Sequence, residues 1–150
     1  MLPYLEEADE IWHAGDIGNI KVLDRLQETG TVRAVYGNID DAAVRSECPE
    51  YLVRDFGEKR ILMIHIAGPL GGYNPHVREL IAMHRPDIII CGHSHILKVQ
   101  FDQRFQLLYV NPGATGHHGF HLMRTMITFE IGETGLKNMQ AIELGRRGRP

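Results

Sequence analysis

Residues Ile88-Ile89-Ile90 form an uninterrupted apolar run between Asp87 and Cys91-Gly92, and few folds accommodate one. Successive strand residues point to opposite faces, so a strand that is apolar on both faces is covered on both, as in the interior of a layered α/β sheet. The flanking segments supply the layers. Residues 3–8 read as the end of a helix, 10–14 as a strand, about 19–29 as a helix and 32–36 as a second strand, which is βαβ grammar. Residues 51–56 and 60–65 flank Gly57-Glu58 as a hairpin, and 77–84 read as a helix that stops before Pro86. Segments 96–101, 105–110, 126–131 and 136–143 are separated by Gly, Asn or Asp turns and predict an antiparallel meander. The class is mixed α/β.

The 150 residues, 43% of them hydrophobic, suffice for one compact domain spanning 1–150. A net charge of -3, dispersed along the chain, argues against a nucleic-acid-binding stripe. The one basic run, Arg146-Arg147-Gly148-Arg149-Pro150, reads as a solvated terminus. No apolar run reaches membrane-spanning length, and the first residues lack the layout of a secretory signal. Cys48 and Cys91 stand far apart without CxxC spacing, so the expected compartment is the cytoplasm.

Nine histidines are the compositional oddity, and several adjoin glycine at strand ends. Four strands run into short polar tips: Gly15-Asp16, Gly37-Asn38-Ile39-Asp40, His65 and Gly92-His93-Ser94-His95. Carboxyl ends of strands are where α/β folds place their sites, and glycine lets the backbone turn sharply enough for donors to converge. Taken singly, a Gly-Asp is often a turn, an Asn-x-Asp a helix cap and a lone His a satisfied core residue. Four tips with oxygen and imidazole donors together predict a metal site. His93 and His95 are expected to serve different ions, with Asp16 as a bridging carboxylate. Two ions clamping attacking and leaving oxygens suit phosphate-ester hydrolysis.

In order and approximate spacing these motifs resemble those of the calcineurin-like metallophosphoesterases. Asn111-Pro112-Gly113-Ala114 further resembles the turn of the family's small phosphodiesterase branch. The resemblance implies a fold of two packed mixed β-sheets flanked by helices, an αββα sandwich. It also implies a metal-dependent phosphodiesterase that hydrolyses small phosphate esters by a metal-activated hydroxide. Asp16 would bridge two divalent transition ions, Asn38, His65 and His93 would complete the second site, and His95 would belong to the first. Manganese is the expected metal, with iron, nickel, cobalt or zinc as alternatives. Asp40 would orient the site or cap the helix that follows. His13, His76 and His84 read as structural, and His117, His118 and His121 as a polar loop.

The family opens with a strand ending Asp-x-His, whereas this sequence begins after that point, so the resemblance implies a fold lacking its first strand. A misplaced start or truncation is the expectation, with one ion held tightly, a weak neighbouring site, and self-association through exposed sheet edges. Ile39 stands where many relatives carry His, and Ile66-Ala67-Gly68 where many carry Gly and a second His, so activated esters are the expected substrates. The alternative function is a phosphoesterase fold serving as a protein-interaction scaffold, as in the retromer subunit that resembles this family.

Overall fold

A computed structural model describes residues 1–132 and 135–148. The chain begins with α1 (Leu2–Glu6), β1 (Glu10–His13), α2 (Ile20–Thr29), β2 (Thr31–Ala34) and α3 (Ala42–Glu47). It continues through β3 (Tyr51–Phe56), β4 (Lys59–Ile64), α4 (Pro75–His84) and β5 (Ile88–Ile90). The remaining strands are β6 (Leu97–Asp102), β7 (Leu107–Pro112), β8 (Met123–Gly132) and β9 (Gly135–Arg146). Helix starts follow their capping residues. Asn19, Asp41 and Asn74 each accept a hydrogen bond from a first-turn backbone N–H of α2, α3 and α4.

The isoleucine run becomes β5, interior as its composition requires. It lies parallel between β4 and β7 in a five-stranded sheet of order β3-β4-β5-β7-β6, with β3 and β6 antiparallel at the edges. One face carries Leu62, Ile64, Ile89 and Tyr109 against Val77, Leu80 and Ile81 of α4. The other carries Ile61, Met63, Ile88, Ile90 and Val110 against Trp12 of β1 and Ile127 and Phe129 of β8. Each fully buried aliphatic side chain contributes about 1.5–3 kcal/mol, which makes this double-faced sheet the mechanical base of the molecule.

The second β layer consists of two ribbons: a parallel β1–β2 pair and an antiparallel β8–β9 pair. The helices α2 and α3 cover the outer side of β2, where Leu23, Val44 and Cys48 pack with Ala34 and Ile17. The result is an αββα sandwich. The expected meander is corrected here. β6–β7 and β8–β9 are separate hairpins in different sheets, because Leu107 and Tyr109 bury against α4 on one face while β8 turns its apolar residues to the other. The basic run is also not simply a loose terminus, since β9 extends through Arg146 and the Arg147 N–H donates to the Leu122 carbonyl. Its last residues, Arg149 and Pro150, lie outside the described residues. No described helix is long and apolar enough to cross a membrane.

Candidate metal centre

The four polar tips meet at the seam between the two β layers. Asp16 follows β1 and Asn38 follows β2, whereas His65 follows β4 and His93 follows β5. Asp16 Oδ1 stands 3.2 Å from His65 Nε2. Asn38 Oδ1 stands 3.1 Å from the same nitrogen and 2.8 Å from His93 Nδ1. Ligand atoms each roughly 2.0–2.2 Å from one ion are spaced about 3 Å from their neighbours, so the four atoms already have the spacing of a coordination shell.

Hydrogen bonding around His65 makes the same point. The Ala14 carbonyl, 2.6 Å from Nδ1, can only accept, so Nδ1 donates to it and Nε2 is the nitrogen turned toward the other candidate ligands. Around Nε2 sit a carboxylate oxygen and an amide oxygen. An N–H there points at one of them, while a cation serves all. His65 is buried and Asp16 half-buried, whereas Asn38 and His93 are exposed, so the group is walled by protein on one side and open to solvent on the other. The donor set therefore fits a divalent transition ion.

The backbone is held in an unfavourable conformation to achieve this. Asp16, His93 and His95 have φ values of 58°, 65° and 57°, in the left-handed region that costs non-glycine residues on the order of 1–3 kcal/mol each. His93 and His95 thus sit in a left-handed turn and not on an extended segment. Gly37 is required by proximity, because a Cβ there would collide with the carboxylate and backbone nitrogen of Asp16.

Three neighbours hold the tips in register. Asp40 is buried, and its two carboxylate oxygens accept from the N–H groups of Gly18 and Gly37, each at 2.7 Å, joining the loops that carry Asp16 and Asn38. Burial pushes this carboxyl up, but backbone N–H donors from Gly18, Gly37 and Ile17 outweigh it and hold the pKa below the usual value. The capping role belongs instead to Asp41, whose Oδ1 accepts from Val44 N at 3.0 Å. Arg45 stacks 4.6 Å from the Tyr36 ring centroid and donates to the carbonyls of Asp40 and Gly37, at 2.8 and 3.1 Å. Fully buried Asn111 donates to the Gly92 carbonyl at 2.8 Å and to Ser94 Oγ at 3.1 Å, bracing the loop of His93 and His95.

The chain matches the calcineurin-like phosphoesterase superfamily domain over residues 1–134. It belongs to that family. Among solved structures of similar fold, zinc-complexed Vps29 from Entamoeba histolytica superposes with a TM-score of 0.72 at 16% identity, covering 98% of this chain and 88% of that one. An archaeal phosphodiesterase gives 0.68 at 19%, covering 93% and 85%. A predicted phosphoesterase from Streptococcus pneumoniae gives 0.65 at 20%, covering 94% and 85%. No curated protein matches the sequence. The family is metal-dependent, and Asp16, His65 and His93 form a candidate metal-holding group in this chain.

His95 lies outside that three-residue group. Burial, and after it the His121 imidazole, lower its pKa, while the Asp16 carboxylate acts in the opposite sense. His121, read from sequence as part of a polar loop, is buried against His95. Phe120 and Leu122 on either side of it are exposed. His13 is packed, with Nδ1 sealed from solvent and unpartnered among the described residues, and burial lowers its pKa. His76 lines a cleft of about 410 Å³ beside Asn38 and His65, with its Nε2 3.7 Å from a Glu50 carboxylate oxygen. A second cleft, about 340 Å³ between α2 and α3, contains none of the candidate ligands.

Proposed function

We propose that the chain is a metal-dependent phosphodiesterase acting on small phosphate esters. Asp16, Asn38, His65 and His93 hold one divalent transition ion firmly, and His95 with bridging Asp16 faces a second, weaker position. The observation that carries this reading is the convergence of Asp16 Oδ1 and Asn38 Oδ1 on Nε2 of His65, with His93 Nδ1 2.8 Å from the same Asn38 oxygen. A bound divalent ion supplies Lewis-acid polarisation of a phosphoryl oxygen and activation of water.

The chain's own residues position and shield. Asp16 is aimed by the Ile39 N–H, 3.2 Å from Oδ1, and His65 is locked in one tautomer by the Ala14 carbonyl. The adjoining cleft, with Arg45 and His76 on its lining, receives the ester group. Ile39 is exposed and places no imidazole near a leaving oxygen, so substrates with good leaving groups are favoured. Manganese is the favoured ion, since mixed imidazole and carboxylate donors accept it and selection follows availability.

A second reading, a docking scaffold, draws on one feature. Leu97, Val99 and Phe101 alternate along edge strand β6 and are exposed. The discriminating experiment is hydrolysis of bis-p-nitrophenyl phosphate by manganese-loaded protein. Turnover lost in His93→Ala supports the phosphodiesterase. A folded, metal-loaded chain that leaves the diester intact supports the scaffold.

A further inference from the structure

Beside the four-donor group stands a second histidine pair. The Nδ1 atoms of His95 and His121 are 3.3 Å apart. Two nitrogens on one tetrahedral ion, each about 2.0–2.1 Å from it, stand about 3.3–3.4 Å apart. The ring arrangement repeats that of the first site. His65 and His93 have centroids 5.3 Å apart at 81°, and His95 and His121 have centroids 5.2 Å apart at 82°.

His121 is also oriented as His65 is. Its Nε2 lies 3.0 Å from the Gly116 carbonyl, which can only accept, so Nε2 donates there and Nδ1 is the nitrogen turned toward His95. A metal-binding imidazole donates its other N–H to a carbonyl in the same way. Gly119 closes over both rings, and a Cβ there would strike His95 and approach His121 Nδ1 at 3.1 Å. Burial of His121 between exposed Phe120 and Leu122 shows that the loop is turned to deliver this ring inward.

We propose that His121 is a ligand of a second divalent ion, shared with His95, whose remaining positions are open to water and to phosphoryl oxygens of the substrate. This rests on the phosphodiesterase reading, in which His95 faces that ion. Among the described residues no third His, Cys, Asp or Glu stands close enough to form a compact three-ligand group with the pair, so beyond bridging Asp16 the coordination stays open. The competing arrangement is a hydrogen bond from His95 Nδ1–H to His121 Nδ1, which binds no ion.

The test is cobalt(II) titration followed by visible absorption and bound-metal analysis. The unaltered chain takes up two ions of unequal affinity, and His121→Gln keeps the tight one while the weaker affinity falls at least about tenfold. Uptake of one ion only, or a second ion indifferent to His121→Gln, overturns the inference. In those cases loss of the tight ion in His93→Ala leaves the phosphodiesterase reading standing. Uptake of no ion overturns both. If His121→Gln fails to fold, zinc titration of the unaltered chain by NMR decides. Shifts of the His95 and His121 imidazole signals at the second equivalent support the pair, and unchanged signals refute it.

Discussion

The five-stranded sheet and the β1–β2 ribbon contribute different chemistry to one site. The sheet supplies nitrogen, through His65, His93 and His95, while the ribbon supplies oxygen, through Asp16 and Asn38. The sheet is covered on both faces and built from fully buried aliphatics, whereas β1 hydrogen-bonds only to β2 among the described strands. In the proposed site an ion at the seam would tie the weaker layer to the stronger. Ligand binding at 100 times Kd adds about 2.7 kcal/mol of stability, and here the gain should fall on the ribbon. Trp12, the only tryptophan, reports it directly, because it lies on β1 with its ring centroid 5.6 Å from that of Phe56 on β3.

The largest break in this comparison comes from Gly37→Ala. The added methyl displaces Asp16, so we expect a loss of about 3 kcal/mol or more, a red shift of Trp12 emission and no tight metal binding. Far-UV circular dichroism should retain the sheet signal. Simultaneous loss of both layers in one transition would show that the ribbon has no separate stability.

Asp40→Asn is the intermediate case. One backbone N–H loses a carboxylate acceptor, which costs about 2 kcal/mol at neutral pH. The folded pKa lies below the unfolded value of 3.8, so the wild-type advantage is complete above that value and disappears as pH falls through the folded pKa. Chemical denaturation of both proteins across that acid range checks the sign, and a gap independent of pH contradicts it. Arg45→Lys should have the smallest effect. The fork between the Asp40 and Gly37 carbonyls is lost, for about 1 kcal/mol of stability and a modest fall in metal affinity measured by calorimetry.

Legibility also divides along the layers. The triple isoleucine and the Gly57-Glu58 hairpin have local signals that survive folding, and β3 spans residues 51–56 as read. The pairing of β7 with β5 rather than with β8 depends on which face each strand buries, which periodicity does not specify. At the site, glycine-adjacent donors were readable because sharp turns need glycine. Arg45 and the inward turn of His121 were not, since a guanidinium reaching carbonyls five to eight residues back and a loop histidine carry no distinguishing composition. Asp40 was legible as an orienting group but not separable from Asp41 as a cap until the two carboxylates were seen on different partners.

Calorimetric titration with manganese, performed on the unaltered chain and on His65→Ala/His93→Ala, tests most directly whether the two layers share one ion. The account predicts one tight equivalent with a blue shift of Trp12 emission, and loss of both in the double variant by at least about 100-fold in affinity. Tight binding that survives in the folded double variant would contradict it, since the nitrogen half of the site would then be unnecessary.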